Sequence, residues 1–322
     1  MSKVIGIDIS KQTFDVSWKE KDKNVSMVFP NNQEGFKSFF KHLKKGNHCV
    51  MEVSGTYHLK LAMFLHHRKV LVSVVNPLII KRFCQMKMSR TKTDKKDAIM
   101  ICAFGEDQKP ALWQPDADYI KEMNSVLTTL EGIEKIATQV SNQMEAESQL
   151  DVLNSMAKES KERLLAHAED EITLLLETLE ALAEKHCPET LARLKTIPGI
   201  GTKTAIVLIA ITGNFEYFDD VRALCAYCGI CPRIYKSGTS VNSKGHIVKM
   251  GNGRIRKLLY LCSWSAQKSN PQCKDLKERL TAKGKPAKVI NIALANKLLR
   301  MAFGVVKSNS DYNKTKGLQK AA

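Results

Sequence analysis

Hydrophobic and polar positions follow different periods along the chain, and each period marks a region. In the first third, short apolar runs alternate with polar turns: KVIGIDIS, TFDVSWKE and NVSMVFP read as three strands. NNQEGFKSFFKHLKK changes to a helical period, opening on a cap at Asn31 with Glu34 three residues on. HCVMEVSG reads as a fourth strand, TYHLKLAMFLHHR as a helix and VLVSVVNP as a fifth strand stopped by Pro77. A further helix starts near Thr93.

From about Asp116 to Cys187 the period becomes purely helical. Met123, Val126, Leu127, Leu130, Ile133, Ile136, Val140 and Met144 recur on one stripe, and Ile172, Leu175, Leu176, Leu179 and Leu182 on a second. Gly and Pro are almost absent, so the pattern predicts two long helices packed as a hairpin or coiled coil. The last third opens with LKTIPGIGTKTAIVLIAITG, a helix-hairpin-helix pattern. It continues through a Ser/Gly-rich loop to helices carrying GRIRKLLYLC and VINIALANKLLRMAFGVV. The predicted division is therefore residues 1–115, 116–189 and 190–322.

Short turns join the first three strands, which predicts antiparallel pairing. The later strands follow helices, which predicts parallel crossovers. The expected class is an α/β first domain of the ribonuclease-H-like (RuvC-like) type, a helical coiled-coil linker and a mainly helical last domain.

Composition adds a partner. The 322 residues carry a formal net charge of +17 with 43% hydrophobic residues, enough for real cores and an excess that points to a polyanion, nucleic acid by default. The first residues read as a strand without a signal segment, and no stretch is expected to approach the ~20 apolar residues that span a bilayer. Nine irregularly spaced cysteines suggest reduced thiols in a cytoplasm. Cys225, Cys228 and Cys231 in CAYCGIC lack a second ligand pair, so they are expected to serve as core residues, not a structural zinc site.

The chemistry concentrates in RTKTDKKDAIM. Asp94 and Asp97 stand three apart on a helix and share a face, with Cβ atoms roughly 5–6 Å apart. Asp8 sits within an apolar strand among Ile5, Ile7 and Ile9, and Glu52 ends another. A buried charge is costly unless compensated. In the expected sheet these strands are neighbours, and four converging acids repel unless cations lie between them. Mg²⁺ or Mn²⁺ is the expected cofactor, suited to phosphoryl transfer. Lys92, Lys95 and Lys96 would hold a phosphate backbone over the acids. Gly199, Gly201 and Lys203 at the PGIG turn, with Lys249, Arg254, Arg256 and Lys257 further on, form a second expected nucleic-acid surface.

GIDISK, MEVSGTY, TKTDKKDA, IPGIG and YKSGTSV, in this order across nearly the whole chain, resemble the DEDD insertion-sequence transposases of the IS110 family. These are relatives of the Piv/MooV DNA invertases and are also called bridge-RNA-guided recombinases. The resemblance implies Asp8, Glu52, Asp94 and Asp97 as the catalytic and metal-binding tetrad, and a catalytic serine at the end of SGTS, Ser240. It also implies action on DNA at element ends and target, a structured guide RNA, and a homo-oligomer (dimer or tetramer) of a bacterial or archaeal cytoplasm, nucleoid-associated when active. LCAYCGICPR stands where the family commonly carries small apolar residues. From the residues alone Ser240 is less secure than the acids, because Ser237 and Ser243 flank it and no partner base stands at a telling distance. Two other classes fit the same residues: a junction endonuclease using metal-activated water, and a noncatalytic nucleic-acid-binding protein.

Overall fold

A computed structural model describes residues 3–315, apart from 22, 54, 89–92, 153, 234–235, 238–240, 243–245 and 249. The chain forms two compact units, Met1–Pro115 and Asp116–Ala322.

The first unit is built on a five-stranded sheet: β1 (Val4–Ile9), β2 (Thr13–Glu20), β3 (Lys23–Pro30), β4 (His48–Glu52) and β5 (Leu71–Val75), in the order β3-β2-β1-β4-β5. The strands joined by turns pair antiparallel, and β4 and β5, which follow helices, pair parallel to their neighbours. Side chains alternate across the sheet. Ile5, Ile7, Ile9, Phe14, Val16 and Met51 face α1 (Gln33–Phe40) and α2 (Leu59–His67), where Phe14 stacks on Phe29 at 5.5 Å. Val50 and Val75 face the other way, toward α3 (Pro77–Met86) and α4 (Asp94–Gln108). The cap of α1 is Asn32, not Asn31: its side chain accepts from the Glu34 and Gly35 amides. Asn31 instead donates to the Ser10 carbonyl. Pro77 does more than stop β5, since it takes the first position of α3 behind the Asn76 cap.

One contact fixes α4 on the sheet. A Cβ on Gly6 would lie 2.2 Å from both the Ala98 carbonyl oxygen and the Cys102 amide nitrogen, and one on Gly105 would lie 2.6 Å from Val4. The helix backbone therefore rests directly on β1. Because the obstructing atoms at Gly6 are backbone, no rotamer change relieves them. Gly6→Ala is expected to destabilise the unit by about 1–3 kcal/mol or more, read as a lower urea midpoint with unchanged slope.

The second unit is helical. The long helices α5 (Asp118–Glu147) and α6 (Ser155–His186) pack along each other, with Val140 and Ala168 buried in their seam. Their lower turns, through Met123, Leu127, Leu130, Leu179 and Ala183, enter one core with α7 (Pro188–Lys195), α8 (Thr202–Thr212), α9 (Val221–Cys228), α10 (Gly253–Ser269) and α12 (Ala287–Lys307). Ile136, placed by its spacing on the packing stripe, is instead 48% exposed. α11 (Pro271–Ala282) packs on α10 and α12. Two-residue strands β6 (Pro232–Arg233), β7 (Lys236–Ser237), β8 (Val241–Asn242) and β9 (His246–Ile247) pair as β6-β9 and β7-β8. Cys225 and Cys228 are buried on α9. Contrary to the expectation that no stretch reaches bilayer-spanning length, α12 passes that test by length and composition. Its apolar character has a local cause, since Ile290, Leu294, Leu298 and Leu299 form part of the core of this unit.

Candidate functional site

The register of α4 against β1 brings the acids together. Cys102 contacts β1 at Val4, donating its thiol to that carbonyl, and Ala98 lies against Gly6. Four residues of helix rise ~6 Å, close to the ~6.6 Å of two strand residues. One turn earlier on α4 therefore matches two residues later on β1, which brings Asp94 toward Asp8. Thr93 caps the helix with its hydroxyl on the Lys96 amide, fixing where this turn begins.

The neighbouring strands complete the group. Ile7 pairs with Met51 across the parallel β1-β4 ladder, so Glu52 is the next residue along, on the same face as Val50 and α4. In the antiparallel β1-β2 ladder Asp8 stands directly opposite Asp15. Residues opposite each other share a face, so Asp15 is a fifth acid in this group, one that the motifs did not single out. Counting back across the short turn from Ile9 paired with Phe14 would have found it.

The electrostatics follow from this crowding. Burial first, then the charges of Asp97, Asp94 and Asp15, push the Asp8 carboxyl up to about 6 from its ordinary 3.8. Asp15 is also raised, by burial and by Asp94. On α3, the Cys84 thiol is raised by burial and by the charges of Asp97 and Glu52, so it lies beside the same acids, whose carboxylates are the charged donors of the group. The donors on offer are thus carboxylate oxygens, the set that hard divalent cations such as Mg²⁺ and Mn²⁺ take. Their mutual repulsion is what a bound cation would relieve. Among the described residues no group of three or more His, Cys, Asp or Glu side chains is placed to hold a metal ion. Lys95 is exposed and Lys96 half-buried on the same first turn as Asp94 and Asp97.

The second unit divides the remaining candidates. Gly199 adopts φ +101°, and a Cβ there would lie 2.6 Å from Ala266, so this glycine serves close packing of the PGIG turn against α10. Gly201 caps α8 and faces open space. Lys203 pairs with Glu134 of α5. Arg254 pairs with Glu131 through both carboxylate oxygens, the Nη2 contact at 2.6 Å. Arg256 turns inward and donates to the Cys228 carbonyl at 3.0 Å, while Lys257 is exposed. Ser240, Lys92 and Lys249 lie outside the described residues.

A mixed α/β sheet with acids grouped at one end, followed by a mostly helical unit, is consistent with a DEDD nuclease-like DNA-processing enzyme. Residues 5–155 match an IS110-type DEDD transposase family described as "Transposase", and residues 191–278 match the "Transposase IS116/IS110/IS902 family". The chain is 33% identical to the pilin gene-inverting protein of Moraxella bovis, over 98% of this chain and 99% of that protein. It is 32% identical, with the same coverage, to the pilin gene-inverting protein of Moraxella lacunata. Similarity to the transposase for insertion sequence element IS1328 of Yersinia enterocolitica is 25%, over 97% of this chain and 98% of that one. The chain belongs to the IS110 family of transposases.

Proposed function

We propose that this transposase excises and inserts, or inverts, a DNA segment by phosphoryl transfer at the acidic group on the end of the first sheet, with Ser240 as nucleophile. The observation that carries the reading is the delivery of the first turn of α4, with Asp94 and Asp97, to the strand ends holding Asp8 and Glu52. The strand order β3-β2-β1-β4-β5, with its antiparallel hairpins and parallel crossovers, fits a RuvC-like (ribonuclease-H-like) domain. Asp8, Glu52, Asp94 and Asp97 would hold Mg²⁺ or Mn²⁺, and Asp15 stands ready beside Asp8. When bound, such ions supply charge neutralisation at phosphorus and at the departing oxygen. Lys95 and Lys96, with Lys92 before them, position a phosphate backbone across the acids.

Ser240 enters through its place in the SGTS motif. The α5–α6 hairpin would act as a coiled-coil arm that joins copies into a dimer or tetramer. A structured RNA from the mobile element would choose the DNA partners, element ends and target. The full-length similarity to two pilin gene-inverting proteins supports inversion as an outcome of the same chemistry. The test is reconstitution: purified protein, RNA transcribed from DNA flanking the reading frame, and a plasmid carrying the element ends. Recombinant junctions, read by sequencing, are expected only when protein, RNA and divalent metal are all present. Junction formation without RNA would remove the guide, and formation in chelator would remove the metal.

A further inference from the structure

Two of the cations that the sequence offers to nucleic acid are already occupied. Lys203, on the first turn of α8, pairs with Glu134. Arg254, on the first turn of α10, is held by Glu131 through two contacts. Both acids come from α5, three residues apart, and therefore from one face of that helix. α5 is held in place nearby, where Asn124 donates to the Ala210 carbonyl of α8 at 3.2 Å. In a chain of +17, α5 thus sets two of its carboxylates against two cations of the expected nucleic-acid face.

The spacing of these carboxylates is informative. Side chains three residues apart on a helix hold their Cβ atoms roughly 5–6 Å apart. Glu131 and Glu134 therefore place two negative charges close enough together to stand in for neighbouring phosphates of one strand. The acids and one of the cations are accessible: the Glu131 side chain is 47% exposed, and Lys203 and Glu134 are 38% and 32% exposed, while Arg254 is 19% exposed and reaches Glu131 from a more buried position. Exposed ion pairs contribute little net stability, so exchanging a carboxylate for a phosphate costs little at Lys203, and at Arg254 a phosphate offers the guanidinium fork two oxygens in place of the two it gives up.

We propose that Glu131 and Glu134 act as an internal phosphate mimic: they occupy Lys203 and Arg254 in the free protein, and the backbone of a bound nucleic acid displaces both. The inference rests on the nucleic-acid reading above and adds a selectivity to it. A ligand with two linked phosphates engages both cations as one event, whereas a lone phosphate must compete for each separately. Inorganic phosphate is therefore held off while a polynucleotide is admitted. Arg256, turned into the protein onto the Cys228 carbonyl, takes no part in the exchange.

The experiment uses the full chain, a fluorescein-labelled duplex, and anisotropy titrations over a range of salt. Glu131→Gln and Glu134→Gln should each tighten binding at low salt roughly two- to fivefold. The log-log salt slope should steepen by up to about 0.9 per substitution, because a freed carboxylate no longer takes up a counterion when the duplex binds. The Glu131→Gln gain should vanish in an Arg254→Gln background, and the Glu134→Gln gain in a Lys203→Gln background. Affinity unchanged by the glutamine variants, with lower melting temperatures, would make the pairs a structural clamp and overturn the proposal. A gain that persists when the partner cation is gone would reduce it to general charge repulsion and also overturn it. Failure of the wild-type chain to bind any duplex would instead overturn the nucleic-acid reading beneath it, a result distinct from the other two.

Discussion

Asp8→Asn and Asp97→Asn are expected to lower strand cleavage by roughly a hundred- to a thousandfold or more, the scale on which loss of one preorganised electrostatic group costs an enzyme. DNA and RNA binding should be largely retained, because the cations that meet the backbone are other residues. The same Asp8→Asn change should stabilise the metal-free protein. In the folded state the Asp8 carboxyl binds its proton up to pH about 6, against 3.8 ordinarily. Between those values the native state holds more protons than the unfolded chain, so unfolding free energy falls as pH rises through the window. The penalty is fully present above pH ~6 and absent below pH ~4. Asp8→Asn, which carries no charge, should therefore melt higher than the wild type at neutral pH without metal, with the difference closing in acid. Activity lost together with a lower melting temperature at neutral pH would mark Asp8 as a packing residue. Normal cleavage by both variants would remove the acidic group from the chemistry.

How far the chain was legible without its structure depends on the range of the interaction concerned. The strands and helices of the first unit follow from local period, because each buries one face and alternation records which one. Its strand directions follow from connection length, since tight turns enforce antiparallel neighbours and intervening helices allow parallel ones, whereas the place of β4 beside β1 and not beside β3 is set by packing across the whole sheet. Thr93 was readable as the start of α4 because its hydroxyl satisfies an amide of the same turn. The α1 cap was misplaced by one residue because Asn31 and Asn32 carry the same side chain, and contacts tell them apart: Asn32 accepts from the Glu34 and Gly35 amides, while Asn31 donates to the Ser10 carbonyl.

Long-range pairings were less visible. Asp15 joins the acidic group through strand register, which lies one step beyond motif reading. Glu131 and Glu134 look like ordinary solvent-facing residues of a long helix until α8 and α10 meet that helix. Gly199 has the sequence of a phosphate-binding turn, yet its open side is filled by Ala266. Packing partners from distant segments decided each of these, and no periodicity within one segment encodes them. Ile136 makes the same point from the apolar side. It falls on the helical stripe, but the seam with α6 runs past it.

The serine gives the other large expected effect. Ser240→Ala should leave melting temperature and nucleic-acid binding near wild type, while the covalent protein–DNA species disappears. In the proposed step the Ser240 oxygen forms a new bond to phosphorus and one strand P–O bond breaks. The departing strand oxygen takes up a proton as the hydroxyl gives one up. The number of phosphate ester bonds is unchanged, so the strand stays activated and can be rejoined to a new partner by the reverse step without a nucleotide cofactor. Ser237→Ala and Ser243→Ala should lose less, because SGTS ends at Ser240 and both neighbours stand outside its last position. The measurement is a labelled DNA substrate run under denaturing conditions, with peptide mapping of the shifted band. An adduct on Ser240 that is absent from Ser240→Ala supports the assignment. Free hydrolysed ends from Ser240→Ala at the wild-type rate would instead show that water is the nucleophile, making the chain a metal-dependent endonuclease in which the serine only contacts DNA.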